Sequence, residues 1–144
     1  MLKDNLIGKT RALDVGSGSG YLTVCMSLMM NGGFTYGIEN PTNLSKNAVL
    51  NIKKNHSELF EDGRTVMMQP GNIDQTLETV APFDAVYLGK ETDEIPMKYM
   101  RLLNNRGRMV INQSSISHHI YKKVMPVGDY KRGKFMIFDK TDTG

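Results

Sequence analysis

The sequence contains little cysteine, no tryptophan and no long apolar run. Its single cysteine, Cys25, cannot form a disulfide within the chain, and a metal site built from several thiolates is excluded. No stretch of about 18 apolar residues is present, so no segment is predicted to span a membrane. The first residues, Met1 to Asn5, are too polar to begin a secretory signal. We therefore expect a cytoplasmic protein with no membrane partner, and no metal site is predicted.

The size and charge are those of an ordinary globular protein. The chain has 144 residues, of which 40% are hydrophobic and 23% charged, and we expect residues 1–144 to form a single, monomeric domain. The formal net charge is +3, with basic residues concentrated near the end at Lys122, Lys123, Lys131, Arg132 and Lys134. A nucleic-acid surface is one interpretation. The other, a solvated face, is favoured because the run is short and Asp129 and Asp139 dilute it, so nucleic acid is not an expected partner.

Strands and helices are predicted to alternate along the chain. Apolar runs bounded by glycine, proline or asparagine predict strands at Arg11–Val15, Phe34–Glu39, Thr65–Gln69, Phe83–Leu88 and Arg108–Ile111, the last preceded by a turn at Asn104–Gly107. A helix is predicted over Tyr21–Met30, which is apolar on nearly all sides and is therefore expected to be buried. Further helices are predicted from Asn40–Pro41, with an apolar stripe at Leu44, Ala48 and Ile52, and over Ile95–Leu103. The segments Lys122–Val127 and Lys134–Phe138 are candidates for a terminal antiparallel pair. This alternation predicts an α/β fold with a doubly wound, mostly parallel sheet, and a ligand crevice beside the first strand.

A glycine-rich loop follows the first predicted strand. Gly16, Gly18 and Gly20 alternate with serines between that strand and the next helix, so the backbone there can approach a ligand closely. Glu39 ends the second strand about 20 residues later, where a carboxylate can accept hydrogen bonds from ribose hydroxyls. A dinucleotide fingerprint would need a glycine in place of Tyr21, and no lysine follows as in a P-loop. The alternatives are a plain glycine turn and a surface carboxylate.

Several segments together resemble one enzyme family, the protein-L-isoaspartate O-methyltransferases. The segment Ala12–Thr23 is similar to the first motif of class I methyltransferases, which bind S-adenosyl-L-methionine (AdoMet). Further similarity lies in later segments: Tyr36–Glu39, Ala48–Lys54, Ala81–Val86, Leu102–Leu103 and Gly107–Ile111. The resemblance implies a Rossmann-like sheet, AdoMet as cofactor, and methyl transfer to the carboxylate of isoaspartyl residues in damaged proteins.

The resemblance also implies which residues contact the cofactor. They are Asp14, Gly16, Ser17, Gly18, Ser19, Gly20, Tyr21, Leu22, Glu39, Asn40, Gly71 and Asn72. No catalytic residue is assigned, because a carboxylate substrate with a pKa near ~4 is already an ionised nucleophile at neutral pH and needs no general base. The absence of a Ser/His/Asp arrangement therefore does not argue against this chemistry.

Some positions depart from the family pattern. We expect the family's upstream peptide-holding segment to be absent, since the chain begins close to the first motif. The family's Gly-Asp after the third strand becomes Gly71-Asn72, which offers an uncharged acceptor. Charged residues at Lys90 and Glu91 replace small ones after the fourth strand, and Asn105-Arg106-Gly107 and Asn112-Gln113-Ser114 replace two Gly-containing stretches. Three interpretations stay open: a genuine, divergent isoaspartyl methyltransferase, an AdoMet-binding relative without turnover, and a methyltransferase with a nucleic-acid or small-molecule acceptor. Because the substrate half departs more than the cofactor half, the sequence also predicts that isoaspartyl peptide is methylated poorly.

Two further features invite a chemical interpretation. Cys25 falls in the middle of an apolar helix, which favours a packed core thiol over a nucleophile. His118 and His119 are adjacent, so they face different ways on any regular element, and surface histidines are favoured over a metal site.

Overall fold

The protein is described by a computed structural model covering residues 1–8, 10–40, 42–68, 73–89, 96–112 and 135–142. Within these ranges the strands are β1 (Arg11–Val15), β2 (Phe34–Ile38), β3 (Thr65–Met68), β4 (Phe83–Leu88), β5 (Leu103–Asn112) and β6 (Phe135–Asp139). The helices are α1 (Tyr21–Met29), α2 (Thr42–His56), α3 (Glu58–Glu61), α4 (Ile73–Val80) and α5 (Met97–Arg101), and a 3-10 helix (Lys3–Asn5) precedes β1. No helix in the described part of the chain is both long and apolar enough to cross a membrane.

The strands form one sheet in the order β3-β2-β1-β4-β5-β6. Strands β1 to β5 are parallel, and β6 runs antiparallel to β5. The chain winds outward from β1 to β3 and then returns to the other side of β1, so the strand order reverses there. This confirms the predicted doubly wound sheet. The ligand crevice beside the first strand stays a prediction. The strand β6 confirms one member of the predicted terminal pair, while the segment from 122 to 127 lies outside the described residues.

Helices cover both faces of the sheet, and β1 contributes side chains to each layer. Leu13 and Val15 pack in the main core, which contains Leu77 of α4. Ala12 packs in a second cluster with Met26 of α1. Because side chains alternate along a strand, Asp14 lies on the α1 face as Ala12 does.

The burial of α1 differs from the prediction of a helix buried on nearly all sides. Leu28 and Met29 are 53% and 49% exposed, whereas Thr23 and Ser27 are fully buried. The inner face carries small hydroxyl residues because each finds a hydrogen-bond partner there: the Ser27 hydroxyl lies 2.6 Å from that of Thr65. The prediction was wrong because it rested on the overall apolar content of the segment. Cys25 is correspondingly half-buried and is not packed in the core.

Three other predictions differ from the structure. The helix predicted over Ile95–Leu103 is α5, Met97–Arg101, and Leu103 begins β5 instead. The expected turn at Asn104–Gly107 is part of β5, where the register with β4 shifts between the pairs Phe83↔Leu103 and Ala85↔Arg108. Arg106 lies within this irregularity and has a positive φ of 62°. In α2, Leu44 is 42% exposed and Ser45 is buried in its place beside Ala48 and Ile52. The helices α3 and α4 were not predicted.

Candidate functional site

The site begins where three neighbouring strands end at the same level. Val15 of β1 is in register with Ile38 of β2 and Leu88 of β4. Gly16 donates its backbone N–H to the Ile38 carbonyl at 2.9 Å, and Gly89 donates to the Val15 carbonyl at 2.8 Å. The carboxyl ends of β1, β2 and β4 are therefore fixed to one another by backbone hydrogen bonds.

The glycine loop runs from the end of β1 into α1 with glycines in the left-handed region. Gly18 has a φ of 53°, and a Cβ added there would meet no atom within 4 Å. Gly20 has a φ of 84°, but a Cβ there would lie 2.8 Å from Cδ1 of Ile52 on α2. Gly18 is thus on the open side of the loop, whereas Gly20 lets α2 pack against the start of α1.

Glu39 joins the end of β2 to this loop. Its Oε2 accepts a hydrogen bond from the Gly18 N–H at 2.6 Å, and its Oε1 accepts one from the Asn40 N–H at 2.8 Å. The structure therefore brings together the two features that the sequence singled out. Each carboxylate oxygen retains a lone pair, so both can still accept a hydrogen bond from a ligand hydroxyl. Ribose binding by Glu39 stays a prediction.

Asp14 lies beneath the loop and is 1% exposed. The Thr23 hydroxyl donates to its Oδ2 at 2.7 Å, and its Oδ1 has no hydrogen-bond partner among the described residues. Burial raises the pKa of Asp14 from 3.8 to about 6; the Thr23 hydrogen bond opposes the rise, and the negative charge of Glu39 adds to it. The site therefore contains a carboxylate that is ionised at neutral pH and only half satisfied. The sequence identified Asp14 but gave no role to Thr23.

The other residues of the glycine loop that were predicted to contact the cofactor lie on two different surfaces. Ser17 is 7% exposed, and its hydroxyl has no partner among the described residues. Leu22 is half-buried and packs against the cluster that contains Met26. Ser19 and Tyr21 line a separate groove of about 470 Å³ between α1 and α2. Asp14 and Glu39 do not line that groove, so the structure divides the predicted loop residues between two surfaces.

Several predictions concern residues outside the described ranges. These are Pro41, Gly71 and Asn72, the charged segment after β4 that includes Lys90, the His118-His119 pair and the basic residues between 122 and 134.

The sequence matches a profile described as protein-L-isoaspartate(D-aspartate) O-methyltransferase over residues 1–144. The chain belongs to this family. It is 39% identical to the protein-L-isoaspartate O-methyltransferase of Caenorhabditis elegans over 111 residues, which cover 76% of this chain and 49% of that protein. It is 32% identical to protein-L-isoaspartate O-methyltransferase 2 of Arabidopsis thaliana over 145 residues, which cover 100% of this chain and 42% of that protein. The chain spans about half the length of these relatives.

Solved structures show the same fold. A crystal structure of a Plasmodium falciparum protein named beta-aspartate methyltransferase, in complex with S-adenosyl-L-homocysteine (AdoHcy), superposes with a TM-score of 0.73 at 28% identity. The match covers 98% of this chain and 66% of that one. An O-methyltransferase from Bacillus cereus, 17% identical with a TM-score of 0.63 over 78% of this chain and 52% of its own, shares the fold. The Rossmann-like fold of class I methyltransferases, expected from the resemblance, is therefore confirmed.

Proposed function

We propose that this chain binds AdoMet at the carboxyl ends of β1, β2 and β4 and methylates the carboxylate of isoaspartyl residues in proteins and peptides. The observation that carries the proposal is the hydrogen bond between Glu39 and Gly18, which joins the ribose acceptor to the glycine loop. Both residues belong to a chain that matches the isoaspartyl methyltransferase family over residues 1–144.

The residues present fit such a cofactor. Asp14 and Ser17 each bury an oxygen atom that has no partner among the described residues, which costs free energy unless a ligand or water satisfies it. Gly18 leaves open space on the loop. AdoMet offers ribose hydroxyls, an ammonium group and a sulfonium, so the acceptors Glu39 and Asp14 are complementary to it in charge and hydrogen bonding. Contacts from the other predicted residues belong to the same proposal: Ser19, Tyr21, Leu22, Asn40, Gly71 and Asn72.

The reaction makes few demands on the protein's own acid and base groups. When bound, AdoMet supplies an activated methyl group. An isoaspartyl carboxylate is ionised at neutral pH and needs no base to become a nucleophile. The chain's contribution is to orient the cofactor and to keep the acceptor carboxylate in line with it. This division explains why the described residues can support the reaction without a catalytic side chain of their own.

The organisation of the protein is part of the proposal. The sheet includes strands from Arg11 to Asp139, which supports one methyltransferase domain over residues 1–144. The monomeric state and the cytoplasmic location stay predictions.

The test is methyl transfer from labelled AdoMet to two peptides of the same sequence, one with isoaspartate and the other with aspartate. We expect a base-labile methyl ester on the isoaspartyl peptide and none on the aspartyl peptide. Binding of AdoHcy without transfer to either peptide would make the chain a binding relative that has no turnover. Transfer to RNA or to a small molecule, with none to isoaspartate, would contradict the proposed acceptor.

A further inference from the structure

The buried hydrogen bond between Thr23 and Asp14 extends the proposed function, on which this inference rests. We propose that Thr23 is a positioning residue that keeps Asp14 oriented and ionised beneath the glycine loop, so that cofactor binding depends on this contact and is lost when Asp14 takes up a proton. Thr23 does not touch the ligand in this account and acts through Asp14.

The hydrogen bond between Thr23 and the ionised Asp14 can have only one donor. A carboxylate can only accept, so the Thr23 hydroxyl donates to Asp14 Oδ2, at 2.7 Å. Thr23 is 0% exposed and Asp14 is 1% exposed, so no bulk water competes for this bond. The Thr23 backbone also lowers the pKa of Asp14. Thr23 therefore fixes one oxygen and leaves Oδ1 without a partner among the described residues.

The surroundings of Asp14 explain why its charge favours a cationic ligand. In register beside it lie Gly37 on β2, which has no side chain, and Tyr87 on β4. Glu39 acts on it from beyond the end of β2 with a second negative charge. No lysine or arginine of the described residues contributes to its pKa. Asp14 thus lies in a negative site in which only Thr23 is seen to stabilise its charged form, and the ammonium group of AdoMet or AdoHcy would supply the missing positive charge.

The direction of the pH dependence follows from this charge balance. In the ligand-free protein burial raises the pKa of Asp14 to about 6. A cationic ligand stabilises the carboxylate and lowers that pKa. The affinity of the protein for this ligand is therefore highest above about pH 6 and falls by up to about tenfold per pH unit below it. Removing the Thr23 hydroxyl takes away a bond to a charged group, which raises the pKa of Asp14 further. The fall in affinity should then begin about one pH unit higher or more.

The experiment is calorimetric titration with AdoHcy from about pH 5 to pH 8. We expect the wild type to lose affinity below about pH 6 and Thr23→Val to lose it from a higher pH. Thr23→Ser, which retains the hydroxyl, should restore the wild-type midpoint. Asp14→Asn should bind weakly with no midpoint in this range. If Thr23→Val does not fold, Thr23→Ala removes the same hydroxyl without adding a methyl group.

Two results would overturn the inference. The first is a hydroxyl-free variant that binds more weakly at every pH with an unchanged midpoint, since a packing defect alone would do this. The second comes from ligand-free protein labelled with ¹³C at the Asp14 carboxyl, if the titration of that group is the same in wild type and variant. Because the second measurement uses no ligand, it separates failure of the Thr23 inference from failure of AdoHcy to bind at all.

Discussion

Replacing Asp14 by asparagine should stabilise the ligand-free protein at alkaline pH. Asparagine has nearly the same shape, and its side-chain oxygen can still accept the hydrogen bond that Thr23 donates to Asp14 at 2.7 Å. The substitution removes a charge that is 1% exposed and that no described cation balances. The effect must therefore depend on pH in the way that this single carboxyl group titrates.

The magnitude follows from the pKa of Asp14, which burial raises from 3.8 to about 6. At about 1.4 kcal/mol for each pKa unit, this difference corresponds to about 3 kcal/mol. Because the pKa in the folded state is the higher one, the stability that Asp14 contributes is complete below pH 3.8 and is lost as the pH rises through about 6. Above that pH the wild type has lost this contribution to its stability. The stability of Asp14→Asn does not change in this way, because asparagine does not titrate.

The assay is urea denaturation of wild type and Asp14→Asn at about pH 4 and pH 8. The new amide N–H groups cost some free energy if they find no acceptor, but that cost is the same at both pH values and cancels in the comparison. The change in unfolding free energy caused by the substitution should be more favourable at pH 8 than at pH 4 by about 2 to 3 kcal/mol. An equal effect at both pH values, or a larger benefit at pH 4, would refute the account of Asp14.

The other predictions concern the loop and the carboxylate that holds it. Glu39→Ala should weaken AdoHcy binding by about ten- to a hundredfold, because bonds to a charged acceptor contribute about 1.5 to 3 kcal/mol; calorimetry showing less than a twofold change would make Glu39 a surface carboxylate only. Gly18→Val should abolish AdoHcy binding, whereas Gly63→Val, at a glycine with a similar φ of 67° and equally open space, should cost similar stability and leave binding intact; equal binding by both variants would contradict the role of Gly18. Gly20→Ala should lower the melting temperature because its Cβ would lie 2.8 Å from Ile52, and Ile52→Val should recover part of the loss; a melting temperature equal to that of the wild type would show that α2 does not pack there as described.

The parts of the fold that the sequence predicted well are those with strong local signals. The strands β1 and β4 have the bounds that were expected, because each is a short apolar run that is buried on both faces and bounded by glycine or proline. The glycine loop was predictable for the same reason, since a strand, alternating glycines and a helix follow one another directly. That this loop and Glu39 lie at the same edge of the sheet followed from the order of strands in a doubly wound sheet.

The missed elements show where local signals are weak or were overlooked. The helix α4 carries apolar residues at Ile73, Leu77 and Val80, a helical spacing that the sequence displays and that could have been recognised. The segment from Asn104 to Gly107 has the composition of a turn, yet it is part of β5. Arg106 and Gly107 exchange backbone hydrogen bonds with Lys140, which follows β6, so long-range pairing outweighs the local preference. Nothing in one sequence signals such an override.

The contact between Asp14 and Thr23 could not be predicted in the same way. It depends on the angle at which α1 crosses the sheet and on which of its faces turns inward. The sequence predicted that α1 is buried on nearly all sides, whereas the structure buries one face, which includes Thr23 and Ser27. Buried polar pairs are set by tertiary packing, so the role of Thr23 became visible only in the fold.

The most direct test of the account is calorimetric titration of the wild-type chain with AdoHcy at about pH 8, where Asp14 is ionised. The account predicts one AdoHcy bound per chain and a rise in melting temperature with ligand concentration. It also predicts that Glu39→Ala and Asp14→Asn weaken this binding while the ligand-free variants stay folded. Absence of binding heat together with an unchanged melting temperature at saturating AdoHcy would contradict the central claim that the loop, Glu39 and Asp14 form a cofactor site.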